Sequence, residues 1–170
     1  MLNDTDKDNP TNGQYWPVDN VSEFGPFKIE LLQTRDIGCV VNRVLQLSMG
    51  DRDPSIIQQF QILGWPPDIS TSQFTSAFLE LMIMIKRWQE QSGKGPITVH
   101  CLNGVGRTGV FCASLSACER IQAEEVVDVY QTVKTLRKQR PNMVETLEQY
   151  RMCYEVALHY CDVNVNLYNC

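Results

Sequence analysis

The sequence predicts an α/β or α+β fold around a single sheet, with one tight glycine-rich loop joining a strand to a helix. Three observations carry that prediction. Apolar and polar residues alternate between Pro26 and Leu63, apolar residues recur at helical spacing from Phe74 onward, and one short apolar run, Pro96-Ile97-Thr98-Val99, lies between two helical segments. At 170 residues the chain is one domain or a large part of one, long enough to bury a core.

Taken in order, residues 1–13 are polar and read as an N-terminal loop; they lack the apolar stretch of a signal peptide. Phe27-Lys28-Ile29-Glu30-Leu31, Val40 to Leu47 and Gln59 to Leu63 alternate as strands do, with Gly50-Asp51-Arg52-Asp53-Pro54 as the turn between the last two. Gly64-Trp65-Pro66-Pro67-Asp68 ends the pattern, because two prolines cannot continue a ladder. Phe74, Phe78, Leu81, Ile85 and Trp88 share one helix face, and that helix stops near Ser92-Gly93. A second helix is expected from about Thr108 to Ile121. A third spans Val126 to Gln139 with Val126, Val129, Tyr130, Val133 and Leu136 inward, ending before Pro141. The last begins at Thr146, where Thr146-x-x-Gln149 forms a capping box, and runs to about Tyr160.

Composition removes several classes of function. A formal net charge of −5 gives no bulk attraction to nucleic acid or to an anionic membrane surface, so any anion site must be local. The longest apolar-rich segment, Phe74 to Trp88, is interrupted by Glu80, Lys86 and Arg87 and does not insert into a bilayer. The seven cysteines are odd in number, scattered and without C-x-x-C spacing, which fits neither a disulfide framework nor a zinc site and suits a reducing compartment.

Residues His100 to Gly109, HCLNGVGRTG, concentrate the chemistry. A strand, a tight loop and a helix in succession aim loop amides and the positive helix end at one point, which is how a protein builds an anion cradle. Gly104, Gly106 and Gly109 permit the curvature, and the amides of Leu102, Asn103, Gly104, Val105 and Gly106 line it together with that of Arg107. Arg107 adds a planar fork suited to two phosphate oxygens. Cys101 lies where its thiolate shares the stabilisation meant for the anion, so its proton is easily lost. Thr108 is placed to hydrogen-bond the Cys101 sulfur, and His100 to orient it.

This segment resembles the signature loop of the cysteine-dependent protein tyrosine phosphatases. Gln14-Tyr15-Trp16-Pro17, Phe24-Gly25-Pro26, Gln59 to Pro66, Pro96 to Cys101, Thr132 to Arg137, Arg140-Pro141 and Gln149-Tyr150 match that family in order. The resemblance covers residues 14–162, the C-terminal two-thirds of such a domain, and leaves 163–170 as a tail. Cys101-Leu102-Asn103-Gly104 and Met143 to Tyr150 look most like the second, membrane-distal phosphatase domain of receptor-type enzymes of the MAM-containing group. The tyrosine-gripping loop of such domains lies in their N-terminal third, before the point where this chain starts, so a fragment of a longer polypeptide is the favoured reading.

The resemblance implies an α/β fold, a twisted mixed sheet flanked by helices with the phosphate-binding loop between a strand and a helix, and it implies a reaction. Cys101 attacks phosphorus while Arg107 and the loop amides hold the equatorial oxygens. An aspartic acid on a closing loop protonates the leaving phenolate, and a glutamine places the water that hydrolyses the cysteinyl-phosphate. It implies no metal and no organic cofactor, phosphotyrosine proteins as partners, an adjacent catalytic phosphatase domain as a further partner, and a cytoplasmic position within a single-pass receptor.

Three places depart from the family pattern. The acid loop of the family reads Trp-Pro-Asp, whereas here Trp65-Pro66 is followed by Pro67 and the carboxylate Asp68 comes one residue later. Moving an acid one residue along an extended loop swings it to the other face, and general acid catalysis contributes about 10²–10⁴-fold. Glu145 stands where the family carries its water-positioning glutamine, and its charge opposes a bound phosphate. Gln149 matches the family's second glutamine and is equally explained by its cap. Leu102-Asn103 replaces the usual Ser-Ala and thickens the loop wall. Three readings stay open: a phosphotyrosine phosphatase of reduced turnover; a module that binds phosphotyrosine partners or regulates a neighbouring catalytic domain; and a redox sensor based on a low-pKa Cys101.

Overall fold

The alternation in the N-terminal half builds one four-stranded antiparallel sheet in the order β1-β2-β3-β4. The strands are β1 (Val21–Phe24), β2 (Phe27–Ile37), β3 (Val40–Met49) and β4 (Ser55–Ile62). The structure is a computed structural model that describes residues 1–2, 14–18, 20–65, 72–93 and 95–168. Two units are distinguished, Met1 with Asn3–Trp65 and Leu2 with Pro66–Cys170.

In the first unit, tight turns set the register. Gly25-Pro26 joins Phe24 to its partner Phe27, and Gly38-Cys39 joins Ile37 to Val40. The first turn residue has φ +60° at Gly25 and φ +59° at Gly38, the left-handed conformation that matches a two-residue turn to the strand twist. A bulge between Leu31 and Gln33 shifts the β2–β3 register. The strand β1 is absent from the sequence reading, because four residues with three exposed side chains carry too little alternation to register. Trp16, Val40, Val41, Leu45, Ile62 and Trp65 are buried in this unit. Buried Gln59 and Gln61 would be costly without partners, and Arg43 Nη1 donates to Gln59 Oε1 (3.0 Å) and to Gln61 Oε1 (2.8 Å) while its guanidinium lies over the Trp16 ring.

The expected α/β class stands. The described ladders are all antiparallel, however, where a mixed sheet was expected. Residues 95–100 carry no ladder among the described residues; Leu2 N donates to His100 O (3.0 Å) at the end of that segment. The reason is general: β-branched residues favour extended backbone, but a strand exists only where a neighbouring chain accepts its hydrogen bonds.

The second unit contains α1 (Ser72–Ser92), α2 (Gly106–Glu124), α3 (Val129–Gln139) and α4 (Leu147–Tyr168). Helix α2 packs against both α3 and α4, so it is covered on more than one side; Val110, Phe111, Ala113, Ser114, Ala117 and Cys118 are all buried. Phe78 of α1 meets the Phe111 ring edge-on at 5.8 Å, and Met152, Cys153, Val156 and Ala157 of α4 complete the core. Of the expected α1 face, Phe74, Phe78 and Leu81 are buried, while Ile85 and Trp88 are half-buried.

Helix α3 starts three residues later than expected. Asp128 Oδ1 accepts from Gln131 N (2.9 Å) and so fixes the first turn, leaving Val126 outside the helix and exposed. Tyr130, expected inward, is also exposed; Thr132 takes the buried position beside Val133. Helix α4 continues to Tyr168, so most of the expected tail at 163–170 extends that helix. No described helix is long and apolar enough to cross a membrane.

Candidate active site

The site is built at the N-terminus of α2, where the first turn leaves backbone donors without helical acceptors. Cys101 Sγ lies at its centre, half-buried. Thr108 Oγ1 donates to it at 3.0 Å and Gly104 N at 3.3 Å. Burial by itself raises the Cys101 pKa; the Thr108 hydroxyl and the loop backbone outweigh it, and the net shift is downward from the ordinary thiol value. In the core burial prevails: it is the largest cause at Cys118 and Cys153 and pushes both up to about 12. The six described cysteines are all free thiols.

Three glycines of the loop lie against three different neighbours. Gly104 has φ +71°, and a Cβ there would come 2.9 Å from Arg140 Nη2. A Cβ on Gly106 would come 2.8 Å from Gln149 Nε2 and 3.3 Å from Glu145 Oε2. A Cβ on Gly109 would lie 2.2 Å from Val144 N, a backbone atom that cannot swing aside. The α3–α4 connection therefore rests directly on the loop.

That connection is held in place from several directions. Val144 N donates to Val105 O (3.1 Å), the same carbonyl that receives Gly109 N (3.0 Å). Arg137 Nε donates to Met143 O (2.9 Å) and its Nη2 to Val144 O (2.6 Å). Val144 is buried with φ +61°, a strained state for a β-branched residue that costs about 1–3 kcal/mol. Immediately after it comes Glu145, whose Oε2 accepts from Asn103 Nδ2 at 3.0 Å. The strained residue thus directly precedes the one that bonds Asn103.

The remaining expected site residues fall as follows. Arg107 Nη1 donates to Leu2 O at 3.1 Å. Gln149 serves its cap, with Gln149 N donating to Thr146 Oγ1 (3.2 Å) and its Oε1 accepting from Thr146 N (3.4 Å) and Glu145 N (2.7 Å); its Nε2 end reaches over Gly106. His100 is half-buried, and burial lowers its pKa. Leu102 is 65% exposed, so its bulk projects into solvent. Asn103 Oδ1 accepts from Val105 N (3.1 Å) and Gly106 N (3.3 Å). Asp68 and Pro67 lie outside the described residues.

Sequence reasoning missed the supporting layer. Arg137 and Arg140 fall in segments that match the family but carry no assigned role in the sequence, yet one anchors the Glu145 segment and the other reaches Asn103 O at 3.5 Å across Gly104. The one available signal was the string of glycines, each of which implies something close above it. A cavity of about 320 Å³ lined by Leu79, Met82, Lys86, Cys118 and Tyr160 is separate from Cys101 and takes no part in this chemistry.

A half-buried thiol of lowered pKa, backbone donors beside it and a neighbouring arginine equip the site for nucleophilic attack on an anionic ester. Comparison with known proteins gives the family. The family model described as protein-tyrosine phosphatase matches residues 1–159. Receptor-type tyrosine-protein phosphatase U of Gallus gallus is 39% identical over 152 residues, which is 88% of this chain and 11% of that protein. The human receptor-type tyrosine-protein phosphatases alpha and epsilon are 41% and 37% identical over 150 and 158 residues, each match taking in 88% of this chain. The chain spans between 11% and 22% of the length of these relatives.

Proposed function

The chain belongs to the protein-tyrosine phosphatase family, and we propose that it is a domain of a receptor-type enzyme that cleaves phosphotyrosine through a cysteinyl-phosphate. The observation that carries this reading is the Cys101 thiol held by Thr108 Oγ1 at 3.0 Å and Gly104 N at 3.3 Å, with its pKa lowered despite burial.

In the first step the Cys101 thiolate attacks phosphorus. The bond from phosphorus to the tyrosine oxygen breaks, and loop amides and Arg107 stabilise the charge on the equatorial oxygens. Asp68 is the proton donor to the departing phenolate. In the second step water attacks the cysteinyl-phosphate, and Thr108 stabilises the sulfur as it leaves as thiolate. Gln149, whose Nε2 reaches over Gly106, is the available side chain for holding that water.

A second reading is favoured by one specific contact. Glu145 Oε2, at 3.0 Å from Asn103 Nδ2, brings a carboxylate to the cradle, and it opposes both a bound dianion and the glutamine-like role expected at that position. Together with the acid at Asp68 instead of residue 67, it points to slow turnover, in a module that binds phosphotyrosine proteins or regulates an adjacent catalytic domain. The match of Cys101-Leu102-Asn103-Gly104 and Met143–Tyr150 supports assignment to the membrane-distal domain of the MAM-containing group, on the cytoplasmic side of a single-pass receptor.

Turnover of a phosphotyrosine peptide by the wild type against Cys101→Ser separates an enzyme from a binding module. Measurable release of phosphate that Cys101→Ser abolishes establishes the enzyme. If the defects are those named, Pro67→Asp combined with Glu145→Gln raises aryl phosphate hydrolysis at least tenfold, within the range general acid catalysis supplies (about 10²–10⁴-fold). No gain from the double substitution would sink that account of the impairment.

A further inference from the structure

Two amides at the start of α2, those of Val105 and Gly106, need an acceptor that the helix cannot supply. Both are directed to one atom, Asn103 Oδ1, at 3.1 and 3.3 Å. The same oxygen lies 3.5 Å from Cys101 Sγ. An oxygen bonded to two loop amides and adjacent to the nucleophile occupies the place of an oxygen of a bound phosphoryl group. The other end of the carboxamide is tied as well, Nδ2 donating to Glu145 Oε2 at 3.0 Å. Glu145 is in turn placed by the strained Val144, by the two Arg137 bonds and by the close approach to Gly109.

We infer that Asn103 is an internal ligand of the phosphate cradle, latched by Glu145, which a phosphate monoester must displace in order to bind. This rests on the phosphatase reading given above. The carboxamide oxygen is neutral, so it satisfies the amides at the cost of one local side-chain rotation, without the full affinity of a dianion. Its displacement removes two hydrogen bonds to Asn103 Oδ1 and frees the Glu145 carboxylate to face the incoming charge. Asn103 therefore sets the affinity and selectivity of the site: ligands with weak contacts outside the cradle fail to open it. The plain competing account is a local helix cap, in which Asn103 stabilises the loop and has no bearing on anion affinity. The two accounts predict opposite outcomes when the side chain is removed.

The test uses tungstate as the probe and reads its protection of Cys101 from iodoacetamide. Asn103→Ala should reach half-protection at a tungstate concentration at least tenfold lower than wild type, about 1.4 kcal/mol of binding. In the ligand-free variant the amide protons of Val105 and Gly106 should exchange faster than in wild type. Glu145→Ala, which removes the acceptor of Asn103 Nδ2 together with the charge, should shift protection in the same direction and further than Glu145→Gln, which removes the charge but keeps an oxygen acceptor; equal shifts in the two, or none, overturn the latch. Equal or weaker protection in Asn103→Ala, with clear protection in wild type, overturns the internal ligand and leaves a helix cap. Protection in neither protein overturns this inference together with the phosphatase reading beneath it.

Discussion

Replacing Thr108 with Ala isolates the side-chain hydroxyl that bonds the nucleophile, at 3.0 Å from Cys101 Sγ. A hydrogen bond to a charged acceptor is worth about 1.5–3 kcal/mol. Cys101 is half-buried, not enclosed, which sets the value near the lower end of that range. Since 1.4 kcal/mol is about tenfold in an equilibrium, the thiolate fraction of Thr108→Ala falls roughly tenfold at acidic pH. The thiolate that remains is more basic and hence a better nucleophile. With a Brønsted slope of about 0.4–0.5, a tenfold loss of acidity returns roughly threefold in intrinsic rate.

The two effects combine into a crossing. In exchange with a small aromatic disulfide, Thr108→Ala should react about threefold more slowly than wild type where Cys101 is mostly protonated, and about threefold faster where both proteins are fully ionised. The sign follows from the lowered Cys101 pKa: removing a donor moves ionisation to higher pH. Cys118 and Cys153, pushed up to about 12 by burial, stay out of the reaction, and a Cys101→Ser control subtracts the other thiols. Thr108→Ser keeps the hydroxyl and should retain the wild-type profile. Profiles of Thr108→Ala and wild type that overlay at every pH would refute the assignment of thiolate stabilisation to Thr108.

Two further predictions concern the ground on which the site stands. Gly109→Ala puts a Cβ 2.2 Å from Val144 N and 3.0 Å from Met143 C, so backbone must move; overpacking of about 1–3 kcal/mol should lower Tm by several degrees at roughly 2–4 °C per kcal/mol, and an unchanged Tm would show that the α3–α4 connection does not rest on the loop. Arg137→Lys keeps the charge but loses the paired donation to Met143 O and Val144 O; a loss of about 1 kcal/mol, or roughly 2–4 °C in Tm by thermal melting, is expected, and wild-type stability would mean that charge alone suffices there.

What was legible in the sequence followed from local rules. The capping box at Thr146 and Gln149 is read from two residue types at fixed spacing, and both of its bonds form. The α1 face at Phe74, Phe78 and Leu81 is a matter of period, and burial follows it. What was not legible depends on partners distant in sequence. Residues 95–100 have strand-like composition and, among the described residues, no ladder, since pairing is decided elsewhere. Tyr130 has the right spacing for the inner face of α3, yet the register set by the Asp128 cap exposes it and buries Thr132. Asn103 looked like added bulk in a loop wall. Its role came from the direction of one oxygen, which residue type alone does not give.

Thiol activation and anion affinity use different donors in this loop. Cys101 Sγ is served by Thr108 Oγ1 and Gly104 N, whereas Val105 N and Gly106 N go to Asn103 Oδ1. A change that fills or empties the anion position therefore leaves the Thr108 and Gly104 bonds to the sulfur in place, although it moves the Asn103 oxygen that lies 3.5 Å from it. On the proposed reading, the changes at the acid loop and at Glu145 do not touch the Thr108 and Gly104 bonds that hold the Cys101 sulfur. The separation of donors divides the three readings of the sequence into two physical questions. Hydrolysis and phosphotyrosine binding both require the Asn103 oxygen to leave the amides. Oxidation of Cys101 requires only the thiolate and access to it, and so remains open whether or not the cradle ever takes a phosphate.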